Sequence, residues 1–241
     1  MAADNSALYG PDDFSIPGIK RRDLFELSVG YSLILLVIWT PEPWQRPLYL
    51  AAVLFILVAS WRSFDSWAAM GLRAVNLRDS MWIVGVAFLF SAVAVVVAYR
   101  LHTLRPWQGP IEFLRRFWGY AIWAFAQQFL LQIFFLQRFL RLAPTRALAL
   151  ILAVGIFTLA HLPNPILTLA TLVFGLAACL LFLRYRNLIP LAITHAILGI
   201  TIAITLPGPV THNMRVGLGY LTYSPHPHHR RSQASFQPQR P

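Results

Sequence analysis

The sequence predicts an all-α polytopic membrane protein, and three observations carry that prediction. Of its 241 residues, 57% are hydrophobic and only 12% charged, where an ordinary soluble domain is about a quarter charged. The charges fall in short bursts (Lys20–Arg22, Arg115–Arg116, Arg230–Arg231) between long neutral stretches. Those stretches are apolar runs on the scale of a membrane helix, which needs about 20 residues to cross the hydrocarbon layer.

Taken in chain order, residues 1–23 form a polar segment of cytoplasmic type. Asp4, Asp12 and Asp13 lie in it and no apolar core does, so it does not resemble a cleavable signal. Lys20, Arg21 and Arg22 then lead into the first run, which reads as a retained signal anchor. Seven apolar runs follow, at 24–40, 48–61, 82–99, 118–136, 147–161, 165–183 and 189–206, and together they make a membrane domain over 24–206. The runs at 48–61 and 147–161 are short for full spans and fit tilted hairpin partners. Proline marks the connections at Pro41 and Pro43, Pro106, Pro144, and Pro163 and Pro165. In a seven-span layout the 20 Lys and Arg divide almost evenly between the two sides, so charge does not orient the chain. Residues 207–241 read as a basic, disordered tail, with His226, His228 and His229 a solvated cluster or a weak metal binder.

Composition also excludes function classes. A net charge of +11 without a recognition-helix pattern or regular aromatic interleaving argues against nucleic acid; arginines flanking spans account for it. One cysteine, Cys179 inside an apolar run, excludes a disulfide framework and a cysteine-based zinc finger. All nine acidic residues lie at or before Glu112, so four of the runs carry no carboxylate. Chemistry in that half relies on amides, imidazoles and hydroxyls, or borrows an acid from the first half, where Glu26 and Glu112 are the membrane-proximal candidates.

Polar side chains inside a span are costly unless they face partners, and each is a candidate site residue. Gln127, Gln128 and Gln132 sit in the run 118–136, with Gln128 and Gln132 one turn apart on one face. They are interhelical glue or part of a site. His161 ends the run 147–161, one turn after Phe157, and caps or reacts. His195 lies mid-span, where an imidazole needs a partner such as a second imidazole or a metal, and Gly199 one turn on leaves room for a close neighbour. His161 and His195 are two candidate ligands for a divalent metal such as zinc, with no evident third. Read from the residues alone, these groups make a buried polar cluster shared by three helices.

Their order resembles the CPBP family of intramembrane proteases, which includes the CAAX prenyl endopeptidases and bacteriocin-processing enzymes. That family carries Glu-Glu-x-x-x-Arg, then Phe-x-x-x-His, then His-x-x-x-Asn or Asp on successive core helices. Here Gln127-Gln128-Phe129-Leu130-Leu131-Gln132 stands first, Phe157-Thr158-Leu159-Ala160-His161 matches the second, and His195-Ala196-Ile197-Leu198-Gly199 keeps the histidine of the third. Met70-Gly71-Leu72-Arg73 is also similar to a family segment. The resemblance covers about 115–205 and implies a CPBP-type core bundle and an endopeptidase acting on a membrane-anchored protein or peptide in the lipid bilayer. By carry-over Gln127, Gln128, His161 and His195 are the catalytic candidates, supported by Gln132, Phe157 and Gly199. Glutamine cannot take a proton from water as glutamate does. The expectation is therefore a histidine base, His161 or His195, with Gln127 or Gln128 donating to the oxyanion. The alternatives are a catalytically inactive relative that binds or escorts a membrane protein, and a small transporter. A bacterial cytoplasmic membrane is the expected location.

Overall fold

A computed structural model of the chain describes residues 17–73, 76–105 and 109–224. Among them every regular element is helical. The first two helices, α1 (Pro17–Trp39) and α2 (Gln45–Arg62), form a hairpin. A short helical turn, Leu77–Ser80, leads into α3 (Trp82–Arg100). The central helix α4 (Pro110–Leu142) is 33 residues long. Three more follow: α5 (Arg146–Leu159), α6 (Pro165–Tyr185) and α7 (Ile189–Thr205).

Each long helix coincides with one of the apolar runs. Leu77–Arg100, Pro110–Leu142 and Pro165–Tyr185 are long and apolar enough to cross a membrane, while α5 and α7 are apolar but shorter. Local signals set the boundaries. Thr145 accepts the Leu148 N–H at the start of α5 and Asn164 that of Leu167 at the start of α6, both at 3.2 Å, the usual N-cap arrangement. Proline occupies the first turn of α4, α6 and α7, where a missing N–H costs nothing.

The largest departure from the sequence reading is the length of α4. The run 118–136 extends by a turn or two at each end, because charges within it are accommodated rather than terminating. At its start Arg115 and Arg116 are exposed. At its end Arg138 is buried against Glu26 of α1, with Nε and Nη2 donating to one carboxylate oxygen at 2.9 and 2.7 Å and Nη1 to the Phe134 carbonyl at 2.9 Å. Arg141 donates to both oxygens of the buried Asp23, at 2.7 and 2.9 Å. Opposite charges brought together in this way remove the penalty of burying either alone.

Midway, α4 changes pitch. Leu130–Leu136 is a π-helical segment in which residues 131–136 are all buried. Such wider turns inside an α-helix recur at functional sites. Here the segment lets one helix face three ways. Its first half packs on α7, which also packs on α3; the π segment meets α2, α5 and α6; and its last turns meet α1 and α5. The main core fills the middle of this arrangement with Leu131, Leu136, Ala153, Phe157, Cys179, Phe182 and Leu191.

The loop holding Met70-Gly71-Leu72-Arg73 docks between α6 and α7. Gly71, at φ +74°, accepts the Leu188 N–H at 2.8 Å, and its missing Cβ leaves space for the Phe182 ring. Beyond α7, residues 208–221 fold as short helical turns against the bundle. Asn164 pins them by donating to the carbonyls of Thr211 and Arg215 at 2.8 and 3.0 Å, and the Gly217 N–H reaches the Leu162 carbonyl at 2.8 Å. The rest of the expected tail, with its histidines, lies outside the described residues. Large aromatic residues are exposed at helix ends, including Trp44 and Trp61 on α2 and Trp82 and Tyr99 on α3.

Candidate functional site

The polar groups of α4, α5 and α7 converge beneath Phe157. Gln128 and Gln132 are fully buried, and His161 and His195 nearly so. Gln132 Nε2 donates to Gln128 Oε1 at 3.3 Å, which turns the Gln128 amide so that its own Nε2 donates to His195 Nδ1 at 3.1 Å. The two glutamines therefore act in series, and the four-residue spacing that aligns them on one face is realised as a hydrogen bond.

Just past the end of α5, His161 Nδ1 lies 2.7 Å from the Phe157 carbonyl. A carbonyl only accepts, so His161 carries its proton on Nδ1 and presents a lone pair at Nε2. His195 is the complement. Its Nδ1 accepts from Gln128, so its proton sits on Nε2. The Phe157 ring neighbours both imidazoles, 5.0 Å from that of His161 and 6.3 Å from that of His195, in an edge geometry with each. Phe174 of α6 covers His195 at 5.0 Å. The cluster thus offers one neutral acceptor and one neutral donor in an apolar, aromatic-walled site.

Other groups complete or leave the arrangement. Gln127 is half-buried and makes no hydrogen bond to the cluster. Gln132 Oε1, Thr158 Oγ1 and Thr194 Oγ1 are buried without a hydrogen-bond partner, and Cys179 of α6 lies beside the Gln132 amide. Neither acid of the first half reaches the site. Glu26 is held by Arg138, ten residues and about 15 Å along α4 from Gln128. Glu112 is exposed in the first turn of α4, about 24 Å away by the same rise. Zinc does not fit these residues. Among the described residues no three His, Cys, Asp or Glu side chains come together, and the amide behind His195 donates where a zinc-bound imidazole needs an acceptor.

The family model of the type II CAAX prenyl endopeptidase Rce1-like proteins matches residues 112–201, a stretch that includes every group of this cluster. Over this stretch the core is similar to the CPBP family. Neither the curated proteins nor the solved structures compared with the chain match it. Three of its helices are long and apolar enough to cross a bilayer, and the matched stretch is similar to a family of membrane-embedded proteases, which together mark an integral membrane protein.

Two features of this core escape the motifs. Phe174 gives no sequence sign, since any apolar residue of α6 could face His195. Tyr120 does leave a trace. It begins a stripe of four-residue spacing, Tyr120, Ala124, Gln128 and Gln132, and Ala124 is fully buried. At the far end of the stripe the Tyr120 hydroxyl occupies the position that a Cβ on Gly199 would fill. The side chain missing at Gly199 is thus replaced in space by one from α4.

Proposed function

We propose that the protein is an intramembrane endopeptidase that hydrolyses a peptide bond of a membrane-anchored protein or peptide, with imidazoles and amides in place of the family's glutamates. His161 Nε2 accepts a proton from water as hydroxide attacks the scissile carbonyl carbon. His195 donates from Nε2 to the oxygen on which negative charge develops. The imidazolium of His161 then returns the proton to the departing amine as the C–N bond breaks. Gln132 and Gln128 hold His195 in the donor tautomer, and Phe157 packs beside both rings and keeps the site apolar, which strengthens a hydrogen bond to a developing charge.

The observation that carries this reading is the direction of the chain from Gln132 through Gln128 to His195, combined with the opposite assignment at His161. A pair of buried histidines serving only as packing has no need of complementary tautomers. One Gln128 N–H goes to His195 Nδ1, which leaves the imidazole to donate to the oxyanion from Nε2.

The test is cleavage of a panel of lipid-anchored fluorogenic peptides by the full chain in nanodiscs. Replacing a general base removes about 10²–10⁴-fold in rate, so His161→Ala and His195→Ala are each expected to lose at least about 100-fold in kcat. Unchanged cleavage in both overturns the proposal. If the native chain cuts nothing while Gln127→Glu/Gln128→Glu/Gln132→Arg cuts the same panel, the protein is instead a binder that uses this cluster to hold a membrane partner.

A further inference from the structure

Gly199 is buried on α7, one turn beyond His195 on the same face. A Cβ at this position would overlap the Tyr120 hydroxyl, and two ring carbons next to that hydroxyl lie against the same spot. Gln128 meets His195 and Tyr120 meets Gly199, so α4 and α7 run antiparallel here and the phenol arrives one layer from the imidazole. The Tyr120 hydroxyl makes no hydrogen bond within the described residues. Tyr120 is half-buried, and a phenol there keeps its O–H free to meet a hydrogen-bond acceptor.

We propose that Tyr120 is a substrate-binding residue whose hydroxyl donates to the same substrate carbonyl oxygen as His195, with Gly199 serving as the notch that admits it. This rests on the hydrolytic reading above and extends it by one group. Two neutral donors a helical turn apart, one on each of two antiparallel helices, straddle a single oxygen and leave it no water to exchange with. The arrangement selects substrates by the geometry of a backbone carbonyl rather than by charge, since neither donor is ionic.

The experiment uses the full chain in nanodiscs and two probes that differ only at the reacting carbon. One is an N-myristoyl dipeptidyl trifluoromethyl ketone, which hydrates to a tetrahedral mimic of the intermediate; the other is its reduced alcohol. Binding is read by ¹⁹F NMR for the native chain, Tyr120→Phe, Gly199→Ala and His195→Ala. One hydrogen bond to a polarised oxygen is worth about 10-fold or more in affinity. Tyr120→Phe is expected to weaken the ketone by about that factor and to leave the alcohol unchanged. Gly199→Ala, by expelling the hydroxyl, is expected to weaken the ketone likewise.

The failures are distinguishable. If the native chain shows no preference for ketone over alcohol, the hydrolytic reading falls and this inference with it. If His195→Ala abolishes the preference and Tyr120→Phe does not, the inference alone is overturned. Equal weakening of both probes by Tyr120→Phe also overturns it, because that result marks a packing role.

Discussion

Gln128 donates one N–H to His195 Nδ1, and that one donation decides what the imidazole offers on its other side. A leucine at 128 has nearly the same bulk and no donor, leaving His195 free to carry its proton on either nitrogen. Gln128→Leu is therefore expected to lower kcat by about 10-fold, the scale of one hydrogen bond, with KM little changed. The tautomers are directly observable. Protein labelled with ¹⁵N-histidine should give one buried imidazole protonated at Nδ1, lost in His161→Ala, and one protonated at Nε2, which becomes a mixture in Gln128→Leu. Two signals of the same tautomer in the native chain would remove the basis for assigning the two histidines different roles.

At the scale of elements, the ion pairs between α1 and the last turns of α4 are the most exacting contact. Arg138 is 2% exposed and Glu26 4%, so removing Arg138 leaves the buried Glu26 with only the longer contact to Arg22 at 3.8 Å. Arg138→Ala is expected to destabilise the protein by about 3–5 kcal/mol, measured by reversible unfolding in mixed micelles. The double variant Arg138→Met/Glu26→Leu should recover most of the loss, because a well-packed apolar pair replaces a desolvated ionic one. These pairs also explain what the sequence conceals. The apolar runs mark the helices, three of which are long and apolar enough to cross a membrane, because hydrocarbon imposes its own length and composition on a span. The true extent of α4 is hidden, since the arginines that end the run are neutralised by Asp23 and Glu26 more than a hundred residues earlier. The π segment is hidden as well, because Leu130–Leu136 is as apolar as any α-helical core. Gln128, Gln132, His161 and His195 can be picked out one by one, since each is a polar residue in an apolar run. Their hydrogen-bond directions, and Tyr120 filling the notch at Gly199, depend on how α4 and α7 cross and cannot be read from either helix alone.

For the whole molecule, the aromatic residues exposed at the helix ends set a scale. Trp44 and Trp61 bracket α2, Trp82 and Tyr99 bracket α3, and each pair is 17 residues apart. Indole and phenol rings prefer the headgroup level, so on α3, which is long and apolar enough to cross a membrane, the pair is expected to span the hydrocarbon between two interfaces, about 26 Å at 1.5 Å per residue. That interval matches a membrane somewhat thinner than the usual 30 Å or so. Reconstituted in phosphatidylcholines of increasing acyl length, it should unfold latest in the thinner bilayers and less stably as the chains lengthen. An optimum in thick bilayers would show that these rings do not sit at the interfaces. The consequence is positional: α4 is anchored through the hairpin and through α3 by way of α7, so lipid thickness determines the depth at which Gln128 and His195 are held. Under the proposed hydrolysis, a substrate anchored in the same bilayer would be presented at a fixed height, and the membrane itself would choose which of its bonds comes level with the imidazoles.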